Sequence, residues 1–187
     1  MGLIKILEEK TKLHPDKDAV IFRDEPISWD KLQDRPIRLA NSLKNQGVRP
    51  GDRVALYLPN WPEYIYSYLA VWMLGAVAVP LDFMLTMDEL SSCLRHCQAK
   101  VFIFKPKANL HISTLKEKTP FLKVFITCQD RVEGCGFFND CIEDSNTNAL
   151  NINIAEDTPA IIFYTSGTTG KPKGVLISYK QLLAPPK

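Results

Sequence analysis

The sequence has almost no excess of charge of either sign. Its 23 Lys and Arg residues, against 21 Asp and Glu residues, give a formal net charge of +2. Proteins that bind nucleic acid or anionic membranes usually depend on a strongly basic field, and a balance this even supplies none. We therefore expect no nucleic-acid partner.

The sequence also has few cysteines and none of the paired spacings of a disulfide framework. Its five cysteines form an odd set: Cys93, Cys97, Cys128, Cys135 and Cys141. Glu8 interrupts the stretch where a secretory signal peptide needs an apolar core. Ile6 stands where myristoylation of Gly2 would require Ser or Thr. These features favour a reducing, cytoplasmic location.

A long hydrophobic run of transmembrane character is missing as well. The nearest candidate is the uncharged run 64–81, whose length approaches a bilayer span. Asn60 can cap a helix just before it, with Pro62 and Glu63 in the first turn, and Gly75 can end that helix. We therefore predict a buried helix over 61–74 followed by a short strand, with no transmembrane segment.

Short apolar segments alternate with helical patterns along most of the chain. Five segments are predicted to be buried strands: 54–58, 76–79, 101–104, 124–127 and 160–164. Helical patterns over 61–74, 87–98 and 112–118 separate the first four, and Thr86 and Glu89 form a capping box before the second. This alternation predicts an α/β fold with a mostly parallel sheet and helices on its faces.

Two regions lie outside this alternation. Residues 19–28 predict a hairpin that leads into a helix capped by Ser28, which runs toward position 46 and ends at Gly47. Pro36 falls inside that helix, where its ring costs about 3 kcal/mol, so we expect a kink or a break. The polar stretch 128–157 predicts a surface excursion with one weak helix over 137–143.

The most informative segment is 164–175, YTSGTTGKPKGV, which directly follows an apolar strand. A polyphosphate needs hydrogen-bond donors, close backbone approach and positive charge. The segment supplies them through its hydroxyls, its glycines and its lysines: Thr165, Ser166, Thr168 and Thr169; Gly167, Gly170 and Gly174; Lys171 and Lys173. We therefore predict a phosphate-binding loop.

This segment is not a Walker A loop. Thr165 stands where the first Gly belongs, Pro172 occupies the Ser/Thr position, and 175–177 continues as a strand. The loop is therefore expected between two strands, without the helix dipole of P-loop enzymes. A plain hairpin turn is the alternative, but such a turn needs only about two to five residues and no lysines.

The segment 164–175 resembles the signature loop of the adenylate-forming superfamily, which includes acyl-CoA synthetases, firefly-type luciferases and the adenylation domains of peptide synthetases. Upstream segments resemble the same enzymes in the same order: 15–20, 27–32, 51–56, 59–63, 75–81 and 82–104. The spacing is most similar to acid–CoA ligases. The resemblance covers nearly the whole chain and identifies residues 1–187 as the N-terminal part of an AMP-binding (adenylation) domain.

The resemblance implies that the full-length enzyme joins a carboxylic acid to the α-phosphate of Mg-ATP, releases pyrophosphate, and passes the acyl group to CoA. It also implies which residues hold the β- and γ-phosphates: Thr165, Ser166, Gly167, Thr168, Thr169, Gly170 and Lys173. Catalysis by such a loop is positioning plus charge stabilisation of the leaving group, with Lys173 as the first candidate. No metal ligand is predicted within this chain.

In the enzymes that the chain resembles, the remaining chemistry follows the signature loop. The adenine pocket, a metal-binding acid, the acyl pocket and a C-terminal lysine would lie beyond residue 187, so we expect a truncated ligase that is inactive in isolation. Tyr179 and Gln181 stand where His and Asn are usual, which puts nucleotide contacts there in doubt. Two alternatives stay open: a non-catalytic phosphate-binding module, and half of a split ligase completed by a second polypeptide.

Other groups of reactive side chains are weaker signals. Cys93, His96 and Cys97 share one face of a predicted helix, but no fourth metal ligand is placed, so packing is favoured. His14 and His111 have no nearby nucleophile. The aromatic residues between positions 61 and 72 have the helical spacing that is typical of a core.

Overall fold

The computed structural model describes residues 3–148, 150, 152–165 and 173–182. The helices are α1 (Leu3–Leu13), α2 (Trp29–Asn45), α3 (Pro62–Met73), α4 (Met87–Cys97), α5 (Ile112–Lys118), α6 (Phe138–Glu143) and α7 (Tyr179–Leu182). The strands are β1 (Asp18–Phe22), β2 (Glu25–Ser28), β3 (Arg53–Tyr57), β4 (Val77–Pro80), β5 (Val101–Phe104), β6 (Val124–Thr127), β7 (Gly136–Phe137), β8 (Pro159–Thr165) and β9 (Lys173–Ser178).

Most strands join one mixed sheet. Its order is β7-β6-β5-β3-β4-β8-β9, and every neighbouring pair is parallel except the antiparallel pair β8–β9. The predicted α/β class, with a mostly parallel sheet and flanking helices, is confirmed. Each of the five predicted strands is present with bounds that differ by at most one residue.

The central strands of the sheet are buried on both faces, with alternate residues entering two separate cores. Val54 and Leu56 of β3 pack in one core with residues of α2 and α3. Ala55 and Tyr57 of the same strand pack in the other core with residues of α4 and α5. A strand buried on both faces needs apolar residues at every position. This explains why the central strands are continuous apolar runs rather than alternating patterns.

The chain winds in both directions from β3. It crosses through α3 to β4 on one side, then returns through α4 to β5 on the other side, and continues to β6 and β7. In such doubly wound sheets the switch in direction leaves a crevice at the carboxyl ends of the strands, here between β3 and β5.

Within the described residues, no helix is both long enough and apolar enough to cross a bilayer.

A kink or a break was predicted at Pro36, and a break is wrong, because α2 is continuous over its whole length. Ser28 caps the helix as predicted, and its Oγ accepts a hydrogen bond from Lys31 N at 3.3 Å. Pro36 lies on the buried face of the helix with Leu39 and Leu43. Packing of this face in the core offsets the missing backbone donor.

The cap predicted at Asn60 is also wrong, whereas the capping box before α4 is confirmed. Trp61 is the N-cap residue of α3 and makes no side-chain capping bond. Thr86 N donates to Glu89 Oε2 at 2.9 Å, and Glu89 N donates to Thr86 Oγ1 at 3.4 Å. Pro62 at the first helical position lacks an N–H, so fewer unpaired backbone N–H groups remain at the start of α3 for a capping side chain to accept from.

The stretch 128–157 is more integrated than the predicted surface excursion. Phe138 and Ile142 of α6 are buried in the core that contains α2. Arg38 Nη1 donates to Ser145 O at 2.9 Å, and Asn41 Nδ2 donates to Asn146 O at 3.1 Å. Side chains of α2 therefore hold the backbone of this polar segment, which compensates for its small apolar content.

Candidate functional site

The predicted phosphate loop lies at the tip of the hairpin β8–β9. Thr165 is paired with Lys173 in the antiparallel register, and both residues are exposed. The segment between them therefore starts and ends at neighbouring positions, between two strands as predicted. Five of the predicted site residues lie outside the described part of the chain: Ser166, Gly167, Thr168, Thr169 and Gly170.

The end of β8 next to the hairpin tip is bonded to the last turn of α4. The Tyr164 hydroxyl lies 2.7 Å from Nδ1 of His96 and donates to Cys93 O at 3.2 Å. Burial raises the pKa of Tyr164, so the phenol stays neutral. The residue that precedes Thr165 is thereby held in place.

Gly174 allows the hairpin to pack closely. A Cβ at this position would meet Cγ2 of Ile162 at 3.0 Å and Cε1 of His96 at 3.7 Å. The sequence predicts close approach of the backbone to phosphate at this glycine, which stays a prediction. The structure gives Gly174 a packing role within the hairpin and against α4.

The other end of the hairpin is anchored to α3. Trp72 Nε1 donates to Ala160 O at 3.1 Å, close to the start of β8. The hydroxyl of Tyr179, after β9, lies 3.2 Å from Trp72 O and 3.3 Å from Ala76 O. Trp72 therefore contacts both the strand that enters the hairpin and the helix that follows it.

The two positions that depart from the family pattern are engaged by the chain itself. Tyr179 is buried, and this burial raises its pKa. Gln181 Oε1 accepts from Ser178 N at 2.9 Å, and Gln181 N donates to Ser178 Oγ at 3.3 Å, which forms a reciprocal cap on α7. Both side chains thus stabilise the local structure after β9.

The Cys93, His96 and Cys97 group has a packing role. Both cysteines are buried in the core beneath α4, and His96 bonds to Tyr164. Burial raises the pKa of the Cys93 thiol to about 11, so it remains protonated near neutral pH. Across the described ranges, no cluster of three His, Cys, Asp or Glu side chains could hold a metal ion.

The residues that support the hairpin could not be identified from the sequence. His96 and Trp72 are separated from their hairpin partners by 68 and 88 positions. Tyr164 belonged to the signature segment but received no role of its own. A phenol at the end of an apolar strand was the one available signal, since a half-buried hydroxyl needs a partner.

The family model described as "AMP-binding enzyme" matches residues 7–185. The chain belongs to the AMP-binding enzyme family. Among its relatives, it is 30% identical over 208 residues to a long-chain-fatty-acid–CoA ligase of Bacillus subtilis strain 168, covering 97% of this chain and 37% of that protein. It is also 30% identical over 173 residues to a feruloyl-CoA synthase of Amycolatopsis, covering 92% of this chain and 32% of that protein.

One solved structure has the same fold over nearly the whole chain. It is the anthranilate CoA ligase AuaEII in complex with anthranoyl-AMP, with a TM-score of 0.90 and 28% sequence identity. The match covers 96% of this chain and 35% of that protein. The chain therefore spans about a third of the length of these AMP-binding relatives.

Proposed function

We propose that this chain is the phosphate-binding N-terminal part of an ATP-dependent acid–CoA ligase. In this proposal residues 1–187 form the first part of an adenylation domain, and the rest of the large domain and the C-terminal domain lie outside this chain. The observation that carries the proposal is the β8–β9 pairing, which puts Thr165 opposite Lys173 at the two ends of the signature segment. The family match over residues 7–185 supports it.

The proposed role of the hairpin is to hold the β- and γ-phosphates of ATP. The Thr165 hydroxyl and the Lys173 ammonium group are exposed at adjacent positions. The other phosphate ligands would come from Ser166, Gly167, Thr168, Thr169 and Gly170. Pyrophosphate leaves as negative charge accumulates on its bridging oxygen, and Lys173 would stabilise that charge without moving. Lys173 is therefore the proposed catalytic residue.

The described part of the chain does not by itself fit a magnesium site. It offers no cluster of three acidic, histidine or cysteine side chains. An Mg²⁺ ion that accompanies ATP would take its ligands from the phosphates, from water and from groups outside the described part.

The proposed reaction class rests on the named relatives. Two curated relatives are a long-chain-fatty-acid–CoA ligase and a feruloyl-CoA synthase, and one solved relative is an anthranilate CoA ligase. We accordingly propose a carboxylic acid and CoA as co-substrates of the complete enzyme. A cytoplasmic location belongs to the same proposal, and all five cysteines are free thiols, as a reducing compartment would require.

One surface feature favours completion by further protein, either in the same polypeptide or in a second one. Phe163 and Val175 are paired across β8 and β9 and are 39% and 49% exposed, and Leu176 of β9 is 53% exposed. Apolar side chains on an edge strand usually contact another part of a protein. A self-sufficient phosphate-binding module would have no reason to expose them.

A chimera tests the proposal. The chain would replace the matching third of the Bacillus subtilis ligase, and acid-dependent ATP–pyrophosphate exchange would be measured. We expect exchange from the chimera and none from the isolated chain, which lacks the remaining chemistry. Lys173→Ala should abolish the exchange, whereas Lys180→Ala, which removes an exposed charge from α7, should not. A folded chimera without exchange would contradict the proposal.

A further inference from the structure

A polar cavity lies away from the β8–β9 hairpin. Its volume is about 310 Å³, and it is bounded by the β1–β2 hairpin, α2, the start of α3 and the residues after β6. The polar and aromatic side chains that matter here are Arg23, Lys31, Arg35, Trp61, Glu63 and Gln129. Neither Thr165 nor Lys173 lines it.

The cavity occupies the part of the sheet where doubly wound folds bind ligands. Trp61 follows the carboxyl end of β3, and Gln129 follows the carboxyl end of β6. Lys105, directly after β5, places Nζ 4.7 Å from the centre of the Trp61 ring. The winding direction switches between β3 and β5, and ligands bind in the crevice outside such a switch point.

Two of the three basic side chains that line this cavity, Arg23 and Arg35, lie against aromatic rings rather than carboxylates. The Arg35 guanidinium lies 5.6 Å from the Tyr66 ring centre, and the Arg23 guanidinium lies 5.2 Å from that of Phe22. Across the described residues, the Arg23, Lys31 and Arg35 side chains form no ion pair, and no hydrogen bond to them is present. A cation held by a ring face keeps its N–H donors for another acceptor.

The turn that carries Arg23 is conformationally defined. Arg23 and Asp24 have φ values of +51° and +65°, typical of a two-residue type I′ hairpin turn. Such a turn fixes the direction in which its side chains leave the hairpin. Arg23 is therefore held at the cavity rim by both the backbone and the ring of Phe22.

Two carboxylates reduce the positive charge but do not cancel it. Glu25 and Glu63 also line the cavity, against the cations Arg23, Lys31 and Arg35. Glu63 Oε1 already accepts a hydrogen bond from Gln129 Nε2 at 2.8 Å. Three cations against two carboxylates leave a net charge of +1 around the cavity. The guanidinium groups of Arg23 and Arg35 keep unused hydrogen-bond donors. This combination suits a small anion that accepts several hydrogen bonds.

We propose that this cavity binds a phosphoryl-bearing anion through Arg23, Lys31 and Arg35. A guanidinium group can donate two parallel hydrogen bonds to two oxygens of one phosphoryl group. An anion with a single acceptor atom cannot accept both. A cavity of about 310 Å³ is at the lower end of small-molecule sites, so it suits one or two phosphoryl groups. The proposal does not depend on the function proposed for the β8–β9 hairpin.

The test uses pyrophosphate and a chain carrying Lys173→Ala, so that binding at the hairpin is suppressed. Binding is followed through the indole N–H resonance of Trp61, identified by its loss in Trp61→Phe. We expect a saturable shift, and an apparent Kd raised about tenfold or more in Arg23→Gln/Arg35→Gln, because two charged donors are lost. Arg95→Gln removes an exposed arginine from α4, on the opposite face, and should leave the Kd unchanged.

Further arms separate the sources of the phosphoryl group and control for folding. Inorganic phosphate and AMP are titrated in parallel; tighter binding of AMP indicates a nucleotide ligand, and equal or tighter binding of pyrophosphate indicates a free anion. Circular dichroism checks each variant, and Arg23→Lys/Arg35→Lys retains the charge if the glutamines disturb folding. An absent indole shift, or equal weakening by Arg95→Gln, would overturn the proposal.

Discussion

The hydroxyl of Tyr164 lies 2.7 Å from Nδ1 of His96, which joins α4 to the strand that leads into the proposed phosphate loop. Removing either partner should loosen the hairpin near its tip. We expect Tyr164→Phe to lower the free energy of unfolding by about 1–2 kcal/mol, because the hydroxyl takes part in two hydrogen bonds, to His96 Nδ1 and to Cys93 O. Denaturant melts of the parent, both single variants and the double variant Tyr164→Phe/His96→Ala form a double-mutant cycle. Additive effects would show that the contact is not energetically coupled.

Gly174→Ala should destabilise the hairpin by about 1 kcal/mol or more, because the new methyl would lie 3.0 Å from Cγ2 of Ile162. Gly136→Ala in β7 is the matched control, since its nearest neighbour would be Phe125 O at 3.6 Å. There the loss of backbone freedom in the unfolded chain should make alanine neutral or stabilising. Thermal melts of both variants decide the matter, and a stable Gly174→Ala protein would show that Ile162 yields at no cost.

Much of the fold could be predicted from local sequence patterns. The strands β3 and β5 are buried on both faces, so their composition alone distinguishes them from amphipathic helices. The box formed by Thr86 and Glu89 is a four-residue pattern whose partners are adjacent in sequence. The two strands around the signature segment were predictable because apolar residues precede it at 160–163 and end it at 175–177.

The long-range contacts could not be predicted in the same way. Asn41 donates to backbone carbonyls of Asn146 and Asn148, which are 105 and 107 residues away and could belong to any amino acid. Trp72 likewise recognises the carbonyl of Ala160. Backbone acceptors carry no residue-specific signal, so only the fold shows which side chains support the candidate site.

The capping box before α4 should respond to acid. Hydrogen bonds from the backbone and side chain of Thr86 lower the pKa of the Glu89 carboxyl. A carboxyl whose pKa is lower in the folded state stabilises the fold above its unfolded-state pKa, and this contribution is lost as the pH falls through the folded-state value. The stability advantage of the parent over Glu89→Gln should therefore be constant above about pH 5 and shrink toward about pH 3. Denaturant melts across this range measure it.

A matched variant distinguishes the capping box from general charge effects. Glu117→Gln removes an exposed carboxylate from α5 that makes no hydrogen bond within the described residues. Its stability difference from the parent should show no comparable loss over the same pH range. A parallel loss in both variants would mean that net charge, rather than the bonds to Thr86, produces the effect.

The isolated chain should self-associate through β9. Phe163 and Val175 form an exposed apolar pair at this edge of the sheet. Val175→Lys should shift the chain toward the monomer in sedimentation velocity, since a charge on an edge strand opposes strand pairing. Met84→Lys is the control, because Met84 is 79% exposed but lies in a loop. A parent chain that is already monomeric and unfolds cooperatively would remove the physical argument for a missing covering segment.

The most direct test of the central claim is the binding of ATP to the chain, measured by calorimetry with the parent, Lys173→Ala and Lys180→Ala. A phosphate loop without a base pocket should bind weakly, with a Kd in the millimolar range, corresponding to roughly −4 kcal/mol. We expect Lys173→Ala to lose this binding and Lys180→Ala to retain it. Equal binding by the parent and Lys173→Ala would contradict the assignment of Lys173 and of the β8–β9 hairpin to the phosphates.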